Sequence, residues 1–192
     1  MAEFKLGRIR FVWKNEWASS TVYYRDDVIR YGGRVYICVI GHTSAVDFFT
    51  DLDITPTKWN LVSDGQRWKG DWTTSTSYII NDIVKYGANL YIANTVHTSN
   101  SSASAGLEAD ISNWDVFGSG LEWKGNWTVG TRYKVDDLVK YGGKTYVCNT
   151  AHTSNASAAS GLEADQSKWD EFNAGVEYKT DWATAVRYKV ND

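Results

Sequence analysis

The chain has 192 residues, among them 10 Trp, 12 Tyr and a single Pro, and a formal net charge of −3. Acidic and basic residues are interspersed rather than clustered, which leaves no basic face for a phosphate backbone and excludes nucleic acid as an expected partner. No apolar run reaches the ~20 residues of a membrane span, and Met1 to Phe11 alternates apolar and basic side chains instead of forming a signal peptide, so the expectation is synthesis in a cytoplasm and no membrane insertion.

The first element is an N-terminal arm, residues 1–10. Its Phe4-Lys5-Leu6 lies 55 residues before Trp59-Asn60-Leu61, which lies 55 before Trp114-Asp115-Val116 and 110 before Trp169-Asp170-Glu171. The arm therefore reads as the last strand of an incomplete copy, with Phe4 and Leu6 placed to pair with the first module or with another chain; an unpaired strand is a template for association.

Module one, residues 11–62, opens with Trp13-Lys14-Asn15-Glu16-Trp17 and runs through Tyr23 to Asp27-Val28-Ile29-Arg30-Tyr31. Alternation makes that last segment a strand, with Ile29 and Tyr31 on one face and Val28 and Arg30 on the other. Gly32-Gly33 closes a hairpin, because glycine supplies positive φ without steric cost. The return strand runs from Arg34 to Ile40, a loop from Gly41 to Thr57, and a third strand from Trp59 to Val62. A three-stranded sheet with aromatics on one face is about the smallest β unit that stands alone.

The same order returns in module two (66–117) and module three (121–172), and begins again in residues 176–192. The period of 55 joins Trp13, Trp68 and Trp123, then Trp17, Trp72 and Trp127, then His42, His97 and His152. An ungapped repeat means one compact unit built several times, so the fold expected is all-β: three tandem small three-stranded modules plus a truncated fourth. Modules this small bury little surface each, and large rings at repeated positions supply most of their cores. Tyr31, Tyr36 and Trp59 with their equivalents are assigned to the core. Copies two and three agree at 32 of 55 positions, comparing Trp68 to Glu122 with Trp123 to Glu177, which makes copy one the outlier. Its loop carries Phe48, Phe49 and Pro56 where the others have Ser- and Ala-rich segments, expected to be flexible surface excursions. Phe48 and Phe49 are candidates for partner contact. The chain stops at Asp192, the equivalent of Asp27, Asp82 and Asp137, and the expectation is a longer repetitive protein or a second chain supplying the missing half.

Cys38 and Cys148 share a register position with Ala93, so each reads as a small buried group and no disulfide is expected. The three histidines have no second ligand at metal spacing, and no metal or other cofactor is expected; a His followed by Thr and Ser suits a loop fixed by local hydrogen bonds. Asp26-Asp27 and Asp136-Asp137 are neighbours in a strand and point oppositely, unlike a glycosidase carboxylate pair. No nucleophilic triad recurs either, so no enzyme is expected.

The order Trp68, Tyr78, Asn81-Asp82, Val84, Tyr86-Gly87, Tyr91 and Trp114, present in all three full copies, resembles the small chitin- and cellulose-binding modules of carbohydrate-binding families 5 and 12. Their typical run is a tryptophan, Tyr-x-x-Gly-Asp-x-Val-x-Tyr-x-Gly-x-x-Tyr and a closing tryptophan. Here Asp26, Asn81, Asp136 and Asn191 replace the glycine before the aspartate, residue types that also tolerate left-handed backbone. Where the family carries adjacent aromatics of its sugar platform, this chain has Gly41-His42-Thr43, Val96-His97-Thr98 and Ala151-His152-Thr153. The resemblance implies a fold and a glycan-contact role, with Trp13, Trp17, His42, Trp68, Trp72, His97, Trp123, Trp127 and His152 as candidate contacts. Tandem copies with a His-Thr-Ser loop also resemble repeats in virion structural and fibre proteins of tailed phages, notably those infecting cyanobacteria. That likeness implies location in a virion, with other virion proteins, further copies of the chain and host surface polysaccharide as partners. The alternatives are a carbohydrate-binding adhesin and an accessory module of a secreted glycoside hydrolase.

Overall fold

A computed structural model describes residues 11–192, so the arm carrying Phe4 and Leu6 lies outside the described residues. The chain is mostly β, and each main sheet draws its strands from one repeat. Module one contains β1 (Val12–Glu16), β2 (Val22–Tyr23), β3 (Asp27–Tyr31), β4 (Arg34–Cys38), β5 (His42–Thr43), the one-turn helix α1 (Phe48–Leu52) and β6 (Trp59–Ser63). Module two follows with β7 (Arg67–Asp71), β8 (Ser77–Tyr78), β9 (Asp82–Tyr86), β10 (Asn89–Ala93), β11 (His97–Thr98), a 3₁₀ segment Leu107–Asn113 and β12 (Trp114–Gly118). Module three repeats it with β13 (Glu122–Asn126), β14 (Arg132–Tyr133), β15 (Asp137–Tyr141), β16 (Lys144–Cys148), β17 (His152–Thr153), a 3₁₀ segment Leu162–Lys168 and β18 (Trp169–Asn173).

Each sheet has four strands, one more than expected, in the orders β1-β3-β4-β6, β7-β9-β10-β12 and β13-β15-β16-β18. A separate two-stranded ladder joins β2 to β5, β8 to β11 and β14 to β17. The added strand escapes a pattern search because all five residues of β1 are exposed. It is an edge strand parallel to β3, and it carries no alternation of buried and exposed residues. Its register with β3 slips between Trp13 (opposite Val28) and Glu16 (opposite Arg30). Three steps on β1 face two on β3, a β-bulge. The slip recurs between Trp123 and Asn126; a left-handed residue sits in each of these bulges, Asn15 at φ 66° and Gly125 at 80°, and Gly70 at the matching position of module two has φ 83°.

The bend before β3 is made by the Asp pair. Asp26, Asn81 and Asp136 take φ of 73°, 70° and 69°. The next residue turns a buried carboxylate back onto the bend: Asp27 accepts from Tyr24 N at 2.9 Å, Asp82 from Ile79 N at 2.9 Å and Asp137 from Lys134 N at 2.8 Å. The hairpin after β3 has positive φ only at its first residue, Gly32, Gly87 or Gly142. That is the type II′ pattern, which leaves the second position open to Ala88.

The cores are rings stacked between sheet and ladder. Module one buries Tyr23, Ile29, Tyr36, Cys38, Phe48 and Trp59, with Tyr31 half-buried against them. Module two buries Tyr78, Val84, Tyr86, Tyr91, Ala93, Leu107 and Trp114; module three buries Tyr133, Val139, Tyr141, Cys148, Leu162 and Trp169. Both cysteines are free and buried. The loops expected to be loose are exposed but internally bonded: Asn100 Nδ2 donates to Gly106 O at 2.7 Å and its backbone N to Asp110 Oδ2 at 2.8 Å, and Asn155 does the same to Gly161 and Asp165.

The backbone divides into two compact units. One holds module one through Trp68, with Ile79–Asp82; the other holds Lys69–Tyr78 and Ile83–Asp192.

Candidate functional site

The bulge in the first strand of modules one and three, with the left-handed Gly70 at the matching place in module two, separates two tryptophans that four-residue spacing would place on one face. Trp13, Trp68 and Trp123, before the bulge, are 52%, 58% and 59% exposed. Trp13 lies opposite Val28, and Val28 opposite Ile37, so one apolar row crosses the outer face of the sheet. Trp123, Leu138 and Val147 form the same row in module three. Trp17, Trp72 and Trp127, after the bulge, turn inward and pack against the cores. Trp72 meets Tyr86 edge-on at 5.4 Å and Trp127 meets Tyr141 at 5.5 Å. Of the six tryptophans expected as glycan contacts, the fold presents the first of each pair broadly to solvent and seats the second beside the core.

The histidines are placed as loop fasteners. His42 Nδ1 donates to Ile40 O at 2.8 Å, His97 to Thr95 O at 3.2 Å and His152 to Thr150 O at 2.8 Å, since a carbonyl only accepts. Each ring packs edge-on against the closing tryptophan, at 5.2 Å from Trp59, 5.0 Å from Trp114 and 5.3 Å from Trp169. The His42 side chain is only 6% exposed, and Nε2 is buried in all three. Each imidazole thus lies between a backbone carbonyl and an indole of its own module.

The serine of the same motif ties the loop to a more distant turn. Ser44, Ser99 and Ser154 are buried, and each hydroxyl donates at 2.7 Å to the carbonyl just after the inward tryptophan, Ala18, Thr73 or Thr128. It accepts in turn from Thr21 N, Thr76 N or Thr131 N at 2.9–3.0 Å. The buried tyrosine of the ladder adds a second tie: Tyr23, Tyr78 and Tyr133 accept from Ala18 N, Thr73 N and Thr128 N. The His-Thr-Ser run thus anchors the turn that follows the exposed strand.

Phe48, a candidate partner contact, is fully buried. It opens α1, whose N-cap Asp47 accepts from Thr50 N at 3.3 Å, and its ring stacks on Tyr31 at 4.3 Å. Helix formation turned it inward, which corrects the expectation for that residue. Phe49 is half-buried, edge-on to Tyr31 at 5.8 Å.

Copies two and three carry a charge network that copy one lacks. Tyr86 Oη donates to Glu108 Oε2 at 2.9 Å, and Arg132 of module three donates to the same oxygen at 3.1 Å. Lys134 Nζ lies 4.0 Å from the centre of the Tyr86 ring, a cation–π contact. Asn89 Nδ2 donates to Asp136 Oδ2 at 2.8 Å, and its Oδ1 accepts from Gly120 N at 3.0 Å. The Tyr-Glu-Arg-Lys part of this set, without the Asn89 contacts, is rebuilt 55 residues on by Tyr141, Glu163, Arg187 and Lys189, with 2.7 Å, 2.9 Å and 4.2 Å for the corresponding contacts. Burial, with the neighbouring carboxylate accepting the phenol, pushes Tyr86 and Tyr141 up to about 12. Ser77 and Ile79 replace the Arg and Lys at the corresponding positions of module two. The visible signal is an Arg-x-Lys present in copies three and four alone.

Among the described residues no group of three His, Cys, Asp or Glu side chains is arranged to hold a metal. The family model of carbohydrate-binding module family 5/12 matches residues 16–60 and 126–160. The first segment runs from the bulge of module one into its closing strand β6; the second runs from the bulge of module three through β14, β15, β16 and β17 and ends before its closing strand β18. The match and the repeated sheets support a carbohydrate-binding module. No curated protein matches the chain.

Proposed function

We propose that the chain binds surface carbohydrate through Trp13, Trp68 and Trp123, one exposed platform per module, and acts by the sum of weak contacts. One observation carries this reading: in the three full repeats the structure buries or half-buries the second tryptophan, the recurring tyrosines and the closing tryptophan, and leaves this first tryptophan more than half exposed, in modules one and three beside an apolar row. An indole face is a large, rigid apolar surface that costs little ordering to present. A single ring with few flanking polar groups must still offset the cost of binding, so one module is expected to bind with Kd on the order of millimolar. Several modules on one surface gain about 10²–10⁴ in avidity. Isothermal titration of the whole chain with chitohexaose and cellohexaose, beside retention on insoluble chitin and cellulose, tests it. Weak soluble binding with strong retention is expected, and absence of both on any neutral polysaccharide of a broad glycan array would sink the proposal.

The finer reading is a structural component of a phage virion, a fibre or other appendage that touches host polysaccharide. A fixed repeat supports it, because each added copy lengthens an assembly and multiplies contacts. Electron microscopy of particles lacking the product should show a missing appendage; complete particles would reject this role. A catalytic domain in the same reading frame would favour the hydrolase-accessory alternative instead.

A further inference from the structure

We infer a second, chemically different site: a cleft between modules two and three that takes an acidic sugar, a pyranose bearing carboxylate or sulfate. The cavity measures about 370 Å³ and is walled by Trp72, Tyr86, Lys85, Lys124, Arg132 and Lys134, with Asp71 and Glu122 at its border. The aromatic wall comes from module two and most of the cations from module three, so the site exists only where two modules interlock.

The charge count favours an anion. Four cations line the cleft against two carboxylates, in a chain whose net charge is −3. Glu122 is engaged by Lys124 at 3.3 Å. Arg132 is shared with Glu108, which lies behind Tyr86, and Lys134 lies over the Tyr86 ring. Lys85 is exposed and forms no ion pair among the described residues, which leaves an ammonium at the rim without a counter-charge. Its equivalent Lys140 is bridged by Glu177 at 3.3 Å, so the cleft between modules two and three is the one with free positive charge. An ionised group gains charge-assisted hydrogen bonds there, and a pyranose ring gains an aromatic wall.

The lining is not a by-product of packing any two modules. Every lining position but Asp71 has the same residue 55 positions on, whereas module two offers Ser77 and Ile79 where Arg132 and Lys134 stand. In module one Phe48 covers the Tyr31 ring, taking up the aromatic wall.

The test is an amide and indole NMR titration of the full chain with trigalacturonate, with a sulfated heparin-derived tetrasaccharide and with neutral chitotriose. Shifts at Trp72, Gly87 and Lys124 are expected with an acidic sugar and not with chitotriose. The carboxylate and sulfate arms tell which anion fits. The variant Lys85→Glu/Lys124→Glu changes rim charges outside the Tyr86-Glu108-Arg132 network; it should keep the spectrum elsewhere and weaken acidic-sugar binding about tenfold or more, since bonds to charged groups are the strong ones. Acidic sugars that leave these signals unmoved, or bind the variant equally well, overturn the site. Because chitotriose and the exposed tryptophans are read in the same spectra, failure here is distinct from failure of the platform proposed above.

Discussion

The carboxylate that closes the bend before the central strand is equipped differently in successive modules, and one substitution exploits the difference. Asp82 is paired by Arg67 through two bonds of 2.7 Å and 2.9 Å. Asp137, equally buried, has Glu122 in the register position of Arg67. Its Oδ1 has no hydrogen-bond partner, and burial raises its carboxyl above the usual carboxylate range, against the lowering effect of the Lys134 backbone N–H. Glu122→Arg should supply the missing guanidinium. A bond to a charged buried group contributes about 1.5–3 kcal/mol. Ordering the arginine costs up to ~2 kcal/mol, and the exposed Glu122–Lys124 pair forfeits at most ~1 kcal/mol. Two such bonds, as Arg67 makes to Asp82, contribute roughly 3–6 kcal/mol, which less at most ~3 kcal/mol leaves a central expectation of about 1.5 kcal/mol, a rise in melting temperature of roughly 3–6 °C. The pH dependence is diagnostic. In the parent the raised carboxyl contributes stability below the unfolded carboxylate value of about 3.9 and loses it as pH rises. In the variant the lowered carboxyl contributes above that value and loses it as pH falls. Thermal unfolding by circular dichroism from pH 3 to pH 7 should show a gap between the two proteins that widens with pH. No stabilisation at pH 7, or the same gain at pH 3, would refute the reasoning.

Arg67→Ala should be the mirror image: it strands the buried Asp82 carboxylate and should cost about 3–5 kcal/mol in urea unfolding. Gly106 sits at φ 67°, where an added Cβ would run into the Tyr86 hydroxyl and the Glu108 carboxylate. Gly106→Ala should therefore cost about 1–3 kcal/mol and broaden amide signals on both sides of the junction between modules two and three. Burial pushes the Cys148 thiol up to about 12. Iodoacetamide at pH 8.5 should then alkylate it about 10³-fold more slowly in the native chain than in urea, by mass spectrometry. The same shift contributes stability that is full below about pH 8.5 and is lost as pH rises toward 12.

The repeat and the ring-filled cores were legible because the signals are local and multiplied: alternation in Asp27–Tyr31, the glycine hairpin and the aromatic register. The edge strand β1 was not, since all five of its residues are exposed and show no alternation between a buried and a solvent face. Nor was the division of labour between Trp13 and Trp17, which depends on one left-handed residue between them, Asn15 at φ 66°. Phe48 shows a third limit. The loop carboxylate is Asp51 in module one, accepting from Ala45 N at 2.8 Å, but Asp110 in module two, accepting from Asn100 N at 2.8 Å. Ala45 and Asn100 are 55 apart, while Asp51 and Asp110 are 59 apart. The constant period hides a local rearrangement that makes room for a helix and draws the phenylalanine into the core. Contacts between modules depend on Arg132 and Lys134 meeting Tyr86, and no single repeat contains that information.

The most direct test of the central claim is to remove all three exposed rings together and titrate the result. Trp13→Ala/Trp68→Ala/Trp123→Ala alters half-exposed surface positions, each expected to change stability by little, and unfolding should stay cooperative. Retention on insoluble chitin or cellulose should then collapse, by at least the ~10²-fold that avidity contributes. Undiminished retention by the folded triple variant would contradict the account.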